Sequence, residues 1–193
     1  MNIGIYIYDQ AEVLDFSGPF EVFTTASRVS SDKPFAVYLI AEKEGPVTAR
    51  AGYRVIPDYT IATHPPLDVL VIVGGVHTDE MHKARVKTWI SSQVAQVSLI
   101  ATVCTGVFIL ASAQPDLLNR VTTHWEDQED LQVAFPHLEV IKDVRWVDEG
   151  RVVSSGGISA GIDMSLYLVS RLHSLELAEK TARQMEYRWE KNP

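Results

Sequence analysis

The chain has 193 residues, 46% of them hydrophobic and 22% charged, which suits one α/β domain with a proper core and leaves no room for a second full domain. With 25 acidic against 17 basic residues the formal charge is −8, and no long basic run stands ready to neutralise phosphates, so nucleic acid is a poor partner. No segment has the apolar length of a membrane span, and MNIGIY at the amino terminus lacks the basic region and cleavage site of a secretory signal. A lone cysteine forms no internal disulfide, and the expected setting is therefore a soluble protein in a reducing cytoplasm.

In chain order, Ile3–Tyr8 is rich in β-formers and reads as a buried first strand. A loop through Asp15 follows, and Ser17-Gly18-Pro19 supplies a cap and a first-turn proline for a helix through Phe20, Val22, Phe23 and Ala26. Phe35–Ile40 is a second strand, and the stretch from Gly45-Pro46 through Gly52 to Pro57 suggests a short hairpin or excursion. Leu67–Val73 is a continuous apolar run ending in Gly74-Gly75, the pattern of a central parallel strand with close backbone approach at its carboxyl end. Thr78 or Asp79 is expected to cap the next helix, on which Met81, Val86, Trp89 and Ile90 form one apolar stripe.

The apolar run Val97–Val103 then breaks at Cys104-Thr105-Gly106 before a second apolar run, Val107–Ala111. Strand, sharp turn and helix in that order make a nucleophile elbow, with the thiol above a helix amino end that favours thiolate. The small residue expected two positions after the nucleophile is present as Gly106, while Thr102 stands two before it. A buried free cysteine acting as a small hydrophobe is the competing reading.

Farther on, Thr123 is expected to cap a helix running through Leu131. Residues 145–154 read as a hairpin turning at Glu149-Gly150, and Ser159 opens a helix carrying Ile162, Leu166 and Val169. A final helix is expected to set Ala178, Ala182, Met185 and Trp189 on one stripe. Alternating strands and helices of this kind predict a doubly wound, mostly parallel sheet sandwiched by helices, flavodoxin-like, forming a single domain over residues 1–193.

Such sheets bind ligands at the carboxyl ends of their strands, where Asp15, Gly74-Gly75 and Cys104 converge. Asp15 is a candidate proton handler for a sulfur nucleophile, with a capping aspartate as the alternative. Gly74, Gly75 and Val76 are candidate backbone donors to an oxyanion or substrate, with a tight turn as the plainer reading. Thr105 offers a hydroxyl or its amide. His124 is either a substrate-binding or acid/base group or a hydrogen-bonded structural residue. His77 and His82, five apart and without a cysteine partner, make no zinc pattern, and no phosphate-binding glycine signature is complete. Neither a metal nor an organic cofactor is expected.

The segments LDFSGPFEVF (14–23), VIVGG (71–75), ATVCTG (101–106), TTHW (122–125) and SGGISAGID (155–163) together resemble the ThiJ/PfpI superfamily, with its class I glutamine amidotransferase-like fold, and especially its isonitrile hydratase-like branch. The resemblance implies a Cys104 nucleophile, Asp15 as its carboxylate, Thr105 beside it, and a homodimer. In the protease and deglycase branches a histidine follows the cysteine or a glutamate sits beside it; Thr105 and Asp15 stand here instead, which argues against those activities. Regulators related to this branch append a helix-turn-helix module, and none is expected before Pro193. Hydration of an isonitrile to an N-substituted formamide is the expected activity, and a ligand-binding or cysteine-oxidation sensing module is the alternative.

Overall fold

A computed structural model describes residues 1–192. Its elements, in chain order, are β1 (Asn2–Tyr6), α1 (Val13–Val29), β2 (Ala36–Ala41), β3 (Val47–Thr48), β4 (Arg54–Val55), β5 (Tyr59–Thr60), β6 (Val69–Ile72), α2 (Ala84–Val94) and β7 (Leu99–Val103). There follow α3 (Gly106–Ala113), β8 (Arg120–Val121), α4 (Gln128–Ala134), β9 (Glu139–Val140), β10 (Trp146–Asp148), β11 (Val152–Ser155), α5 (Ala160–Leu172) and α6 (Leu175–Gln184). Among the described residues no helix is long and apolar enough to cross a membrane.

Seven strands form one sheet in the order β10-β11-β7-β6-β1-β2-β5, parallel throughout except for β10 against β11. Without its two edge strands the order is β2-β1-β6-β7-β11, which is the flavodoxin-like order predicted from the alternation of elements. The continuous apolar runs explain the centre: every residue of β6 and of β7 is buried, as strands covered on both faces must be. Helices α1, α5 and α6 pack on one another, while α2 packs against α3. The excursion at 45–57 is a two-stranded antiparallel hairpin of β3 and β4.

Chain direction across the sheet reverses at β1, because β2 lies on one side of it and β6 on the other. The loops leaving β1 and β6 therefore part at their carboxyl ends and open a crevice there. A single bridge between Ala11 and Gly75 ties the two loops together at its floor. Gly75 is required at that point. Its φ is +137°, and a Cβ would lie 2.3 Å from the Gln10 carbonyl oxygen.

Several expected boundaries are corrected. Helix α1 starts at Val13, whose amide donates to the Glu12 carboxylate, so Asp15 lies in its first turn and Pro19 within it. Burial of Phe16, Val22 and Phe23 carries the helix through the missing proline N–H, tertiary packing outweighing local propensity. Neither Thr78 nor Asp79 caps α2; a short 3-10 turn, Glu80–His82, intervenes, held by Tyr6 and Lys83 on the buried Glu80 carboxylate. Thr123 does not cap a helix either, because its hydroxyl donates to the Cys104 carbonyl oxygen at 2.8 Å. The 149–150 turn spans Glu149–Arg151 between β10 and β11. Finally α6 ends at Gln184: Ala178 and Ala182 are buried on it, Met185 closes it, and Trp189 lies beyond, its indole N–H donating to the Asp163 carbonyl.

The bend after β7 depends on Gly106, where a Cβ would lie 2.1 Å from the Ile72 carbonyl oxygen. Alanine is ordinarily a better helix former than glycine by about 1 kcal/mol. Here the backbone clash outweighs that gain, and Gly106→Ala is expected to lower the unfolding free energy by about 2 kcal/mol or more, read from the urea midpoint. An unchanged or raised midpoint would show that the β6–α3 approach is slack.

Candidate active site

Cys104 sits between β7 and α3 with φ +56°, a left-handed conformation that a non-glycine residue holds only when its surroundings impose it. Three bonds impose it. The Cys104 amide lies 3.2 Å from the Ser155 carbonyl oxygen and 3.3 Å from that of Gly156, and the Cys104 carbonyl accepts from Thr123. The residue is 6% exposed.

Asp15 reaches the same point from the first turn of α1 and is fully buried. Its Oδ1 accepts the Ile158 amide at 3.1 Å and its Oδ2 accepts the Gly74 amide at 3.1 Å, and the buried Cys104 thiol lies within electrostatic reach of the same carboxylate. Ile158 is itself left-handed, at φ +56°, so a β-branched residue is held in a costly conformation where its amide meets Asp15. Neither the Ile158 contact nor the Thr123 contact has a sequence signature. Both depend on backbone direction.

Burial dominates the electrostatics of this pair. It pushes Asp15 up to about 7, against the opposing pull of the Ile158 and Gly74 amides. Burial also raises the Cys104 thiol well above its ordinary range, and the Asp15 charge raises it further, while the Thr105 amide works in the other direction. The thiolate expected from the helix amino end is therefore corrected. Desolvation and a neighbouring carboxylate outweigh the dipole and favour a protonated thiol beside Asp15.

The expected row of free backbone donors is also corrected. The Gly74 amide is engaged by Asp15, the Gly75 amide by Thr105 Oγ1 at 3.0 Å, and the Val76 amide by the Gln10 carbonyl at 3.1 Å. Thr105 Oγ1 donates in turn to the Gly75 carbonyl at 3.0 Å, so its hydroxyl locks the β6 loop onto the elbow. The Thr105 amide remains, and it works in favour of the thiolate. Gly74 and Gly75 shape the site, and Val76 lies outside the wall of the cavity.

That cavity, about 380 Å³, is lined by Glu12, Arg50, Gly75, Cys104, Thr105, His124, Glu126, Asp127 and Ile158. His124 stands in its wall with Nε2 3.4 Å from Glu126 Oε2. Glu12, Arg50, Glu126 and Asp127 carry no distinct signal in the sequence, because charged residues look alike until the fold gathers them, and Ile158 carries none because it acts through its backbone amide. Among the described residues no group of three His, Cys, Asp or Glu side chains is placed to hold a metal ion.

The raised Asp15 pKa has a consequence for stability. Between about pH 4, where an unfolded carboxyl loses its proton, and about 7, the folded state holds a proton that the unfolded chain has released. Folding thus binds a proton, and the Asp15 contribution to stability falls as pH rises through that window, by about 1 kcal/mol per pH unit. Urea unfolding between pH 4.5 and 7 is expected to fall more steeply with pH in the wild type than in Asp15→Asn, within about that slope. Parallel pH dependences would place the Asp15 pKa near its ordinary value.

Comparison with known proteins agrees with this architecture. The DJ-1/PfpI family model matches residues 1–171. Isonitrile hydratase of Pseudomonas putida is 33% identical over 190 residues, covering 97% of this chain and 78% of that protein. The HTH-type transcriptional regulator GbdR of Pseudomonas aeruginosa is 28% identical over 179 residues, covering 92% of this chain but 48% of the regulator. Among solved structures, a ThiJ/PfpI family protein from Pseudomonas syringae superposes with a TM-score of 0.86 at 26% identity, over 98% of this chain and 76% of that one. The chain belongs to the DJ-1/PfpI family.

Proposed function

We propose that this protein is a cysteine-dependent hydratase that converts an isonitrile and water to an N-substituted formamide. The observation that carries the reading is the buried Cys104 thiol set beside the buried Asp15 carboxyl. Hydration of an isonitrile has to place a proton and a nucleophile on the same terminal carbon. A thiol beside a carboxyl of pKa about 7 holds both at one point.

In the first half-reaction the thiol proton passes to Asp15 and on to the isonitrile carbon as sulfur bonds to that carbon, leaving R–N=CH–S–Cys104. Water then adds to the carbon, giving up one proton to Asp15 while the nitrogen takes another. The C–S bond breaks with its electron pair on sulfur, which takes back a proton, and R–NH–CHO departs. Charge and protons balance with R–NC and H₂O consumed, and the scheme calls for no cofactor. The Thr105 amide favours negative charge on the sulfur as the C–S bond breaks.

Similarity to a transcriptional regulator keeps a ligand-binding module as the second reading. Its oxidation-sensing form is disfavoured by the raised thiol pKa, since oxidation follows thiolate character.

Turnover separates the two. Wild-type protein incubated with a panel of alkyl and aryl isonitriles is expected to release formamides, Cys104→Ala to fall to the uncatalysed rate, and Asp15→Asn to lose roughly two to four powers of ten. Folded wild type that hydrates none of the panel, or Cys104→Ala that retains turnover, would overturn the hydratase reading.

A further inference from the structure

The charges around the cavity do not cancel. Arg50 lies 3.6 Å from Glu12, and His124 lies 3.4 Å from Glu126, so those two carboxylates have partners. Asp127 does not. Among the described residues its carboxylate makes no hydrogen bond or ion pair, although it lines the cavity beside Cys104 and Thr105. A plain structural duty is available to it, since Asp127 stands at the N-cap position of α4, yet its side chain caps nothing there.

Asp127 is half-buried, and burial holds its proton affinity above the usual carboxylate range against the pull of the His124 and His77 imidazoles. Its charge also opposes ionisation of the Cys104 thiol, which puts the two groups within electrostatic reach across the cavity. A half-buried carboxylate without a protein partner, in the lining of the cavity that holds a nucleophile, is free to pair with a cationic ligand there.

We propose that Asp127 makes the cavity over Cys104 selective for substrates that carry a positive charge, such as a protonated amine or quaternary ammonium group, over neutral and anionic ones. That the substrate is an isonitrile rests on the hydratase reading; the charge preference does not. Specificity of this kind is a difference between affinities, and a negative wall works both ways, attracting cations and repelling a carboxylate-bearing analogue of the same shape.

Because Cys104 is the only cysteine in the chain, thiol reagents report on this cavity alone. Labelling rates with trimethylammonioethyl methanethiosulfonate and with its sulfonatoethyl counterpart, each divided by the rate on a free small thiol, give a cation-to-anion ratio. The wild type is expected to show a ratio about tenfold above the free thiol, shrinking as salt is raised. Asp127→Asn should lower the ratio about threefold or more, and Asp127→Glu, which keeps the charge, should largely retain it. A wild-type ratio equal to that of the free thiol, or the same ratio in Asp127→Asn as in wild type, would overturn the proposal.

Turnover of ammonium-bearing, neutral and carboxylate-bearing isonitriles of matched size is the second arm. A kcat/KM order that follows the labelling ratio in the wild type and flattens in Asp127→Asn supports the assignment for isonitriles. Absence of turnover on all three, with the labelling ratio intact, would defeat the hydratase reading and leave the charge preference standing.

Discussion

A buried Asp15 carboxylate accepts from Ile158 after β11 and from Gly74 after β6 and acts on Cys104 after β7 through its charge, while its own backbone belongs to the helix that follows β1. Four chain segments that meet nowhere else in sequence are thereby fixed relative to one another at the carboxyl edge of the sheet. A buried carboxylate without such donors would be costly, and a pair of buried amides without an acceptor equally so. Each side of the contact makes the other tolerable. The left-handed backbones of Cys104 and Ile158 belong to the same arrangement, the first held by Ser155, Gly156 and Thr123 and the second presenting its amide to this carboxyl.

The same contact sets the proton economy of the site. A thiol activated by a helix amino end alone would rest as thiolate, ready for oxidants and soft electrophiles. Buried beside a carboxylate, Cys104 is held toward its protonated form and can offer the proton together with the sulfur. That state suits a substrate whose reacting carbon needs both. It suits a peroxide sensor poorly.

How much of this was legible in the sequence depended on whether the signal was local. The elbow was, because an apolar strand, a cysteine, a threonine and a glycine, and an apolar helix stand in order within 15 residues from Val97 to Ala111. The flavodoxin-like strand order followed from the alternation of elements, and the roles of β6 and β7 from their unbroken apolar runs. Asp15 was recognised as a residue but set in a loop, since Ser17-Gly18-Pro19 is the stronger local start signal and only packing of Phe16 moves the helix back to Val13. The amides of Gly74, Gly75 and Val76 were misjudged because amide direction is a property of the folded loops. For the thiol, the helix dipole was visible in the sequence and the desolvation that overrides it was not. Asp127 resembled any other acidic residue near a helix start until the fold left its carboxylate uncapped and facing a cavity.

The pH dependence of Cys104 alkylation by iodoacetamide, compared between wild type and Asp15→Asn, tests the protonated pair most directly. A midpoint above the free-cysteine value of about 8.5 in the wild type, falling when the carboxylate is neutralised, is the result that this account predicts. A wild-type midpoint below that value, or one that rises in Asp15→Asn, would contradict it.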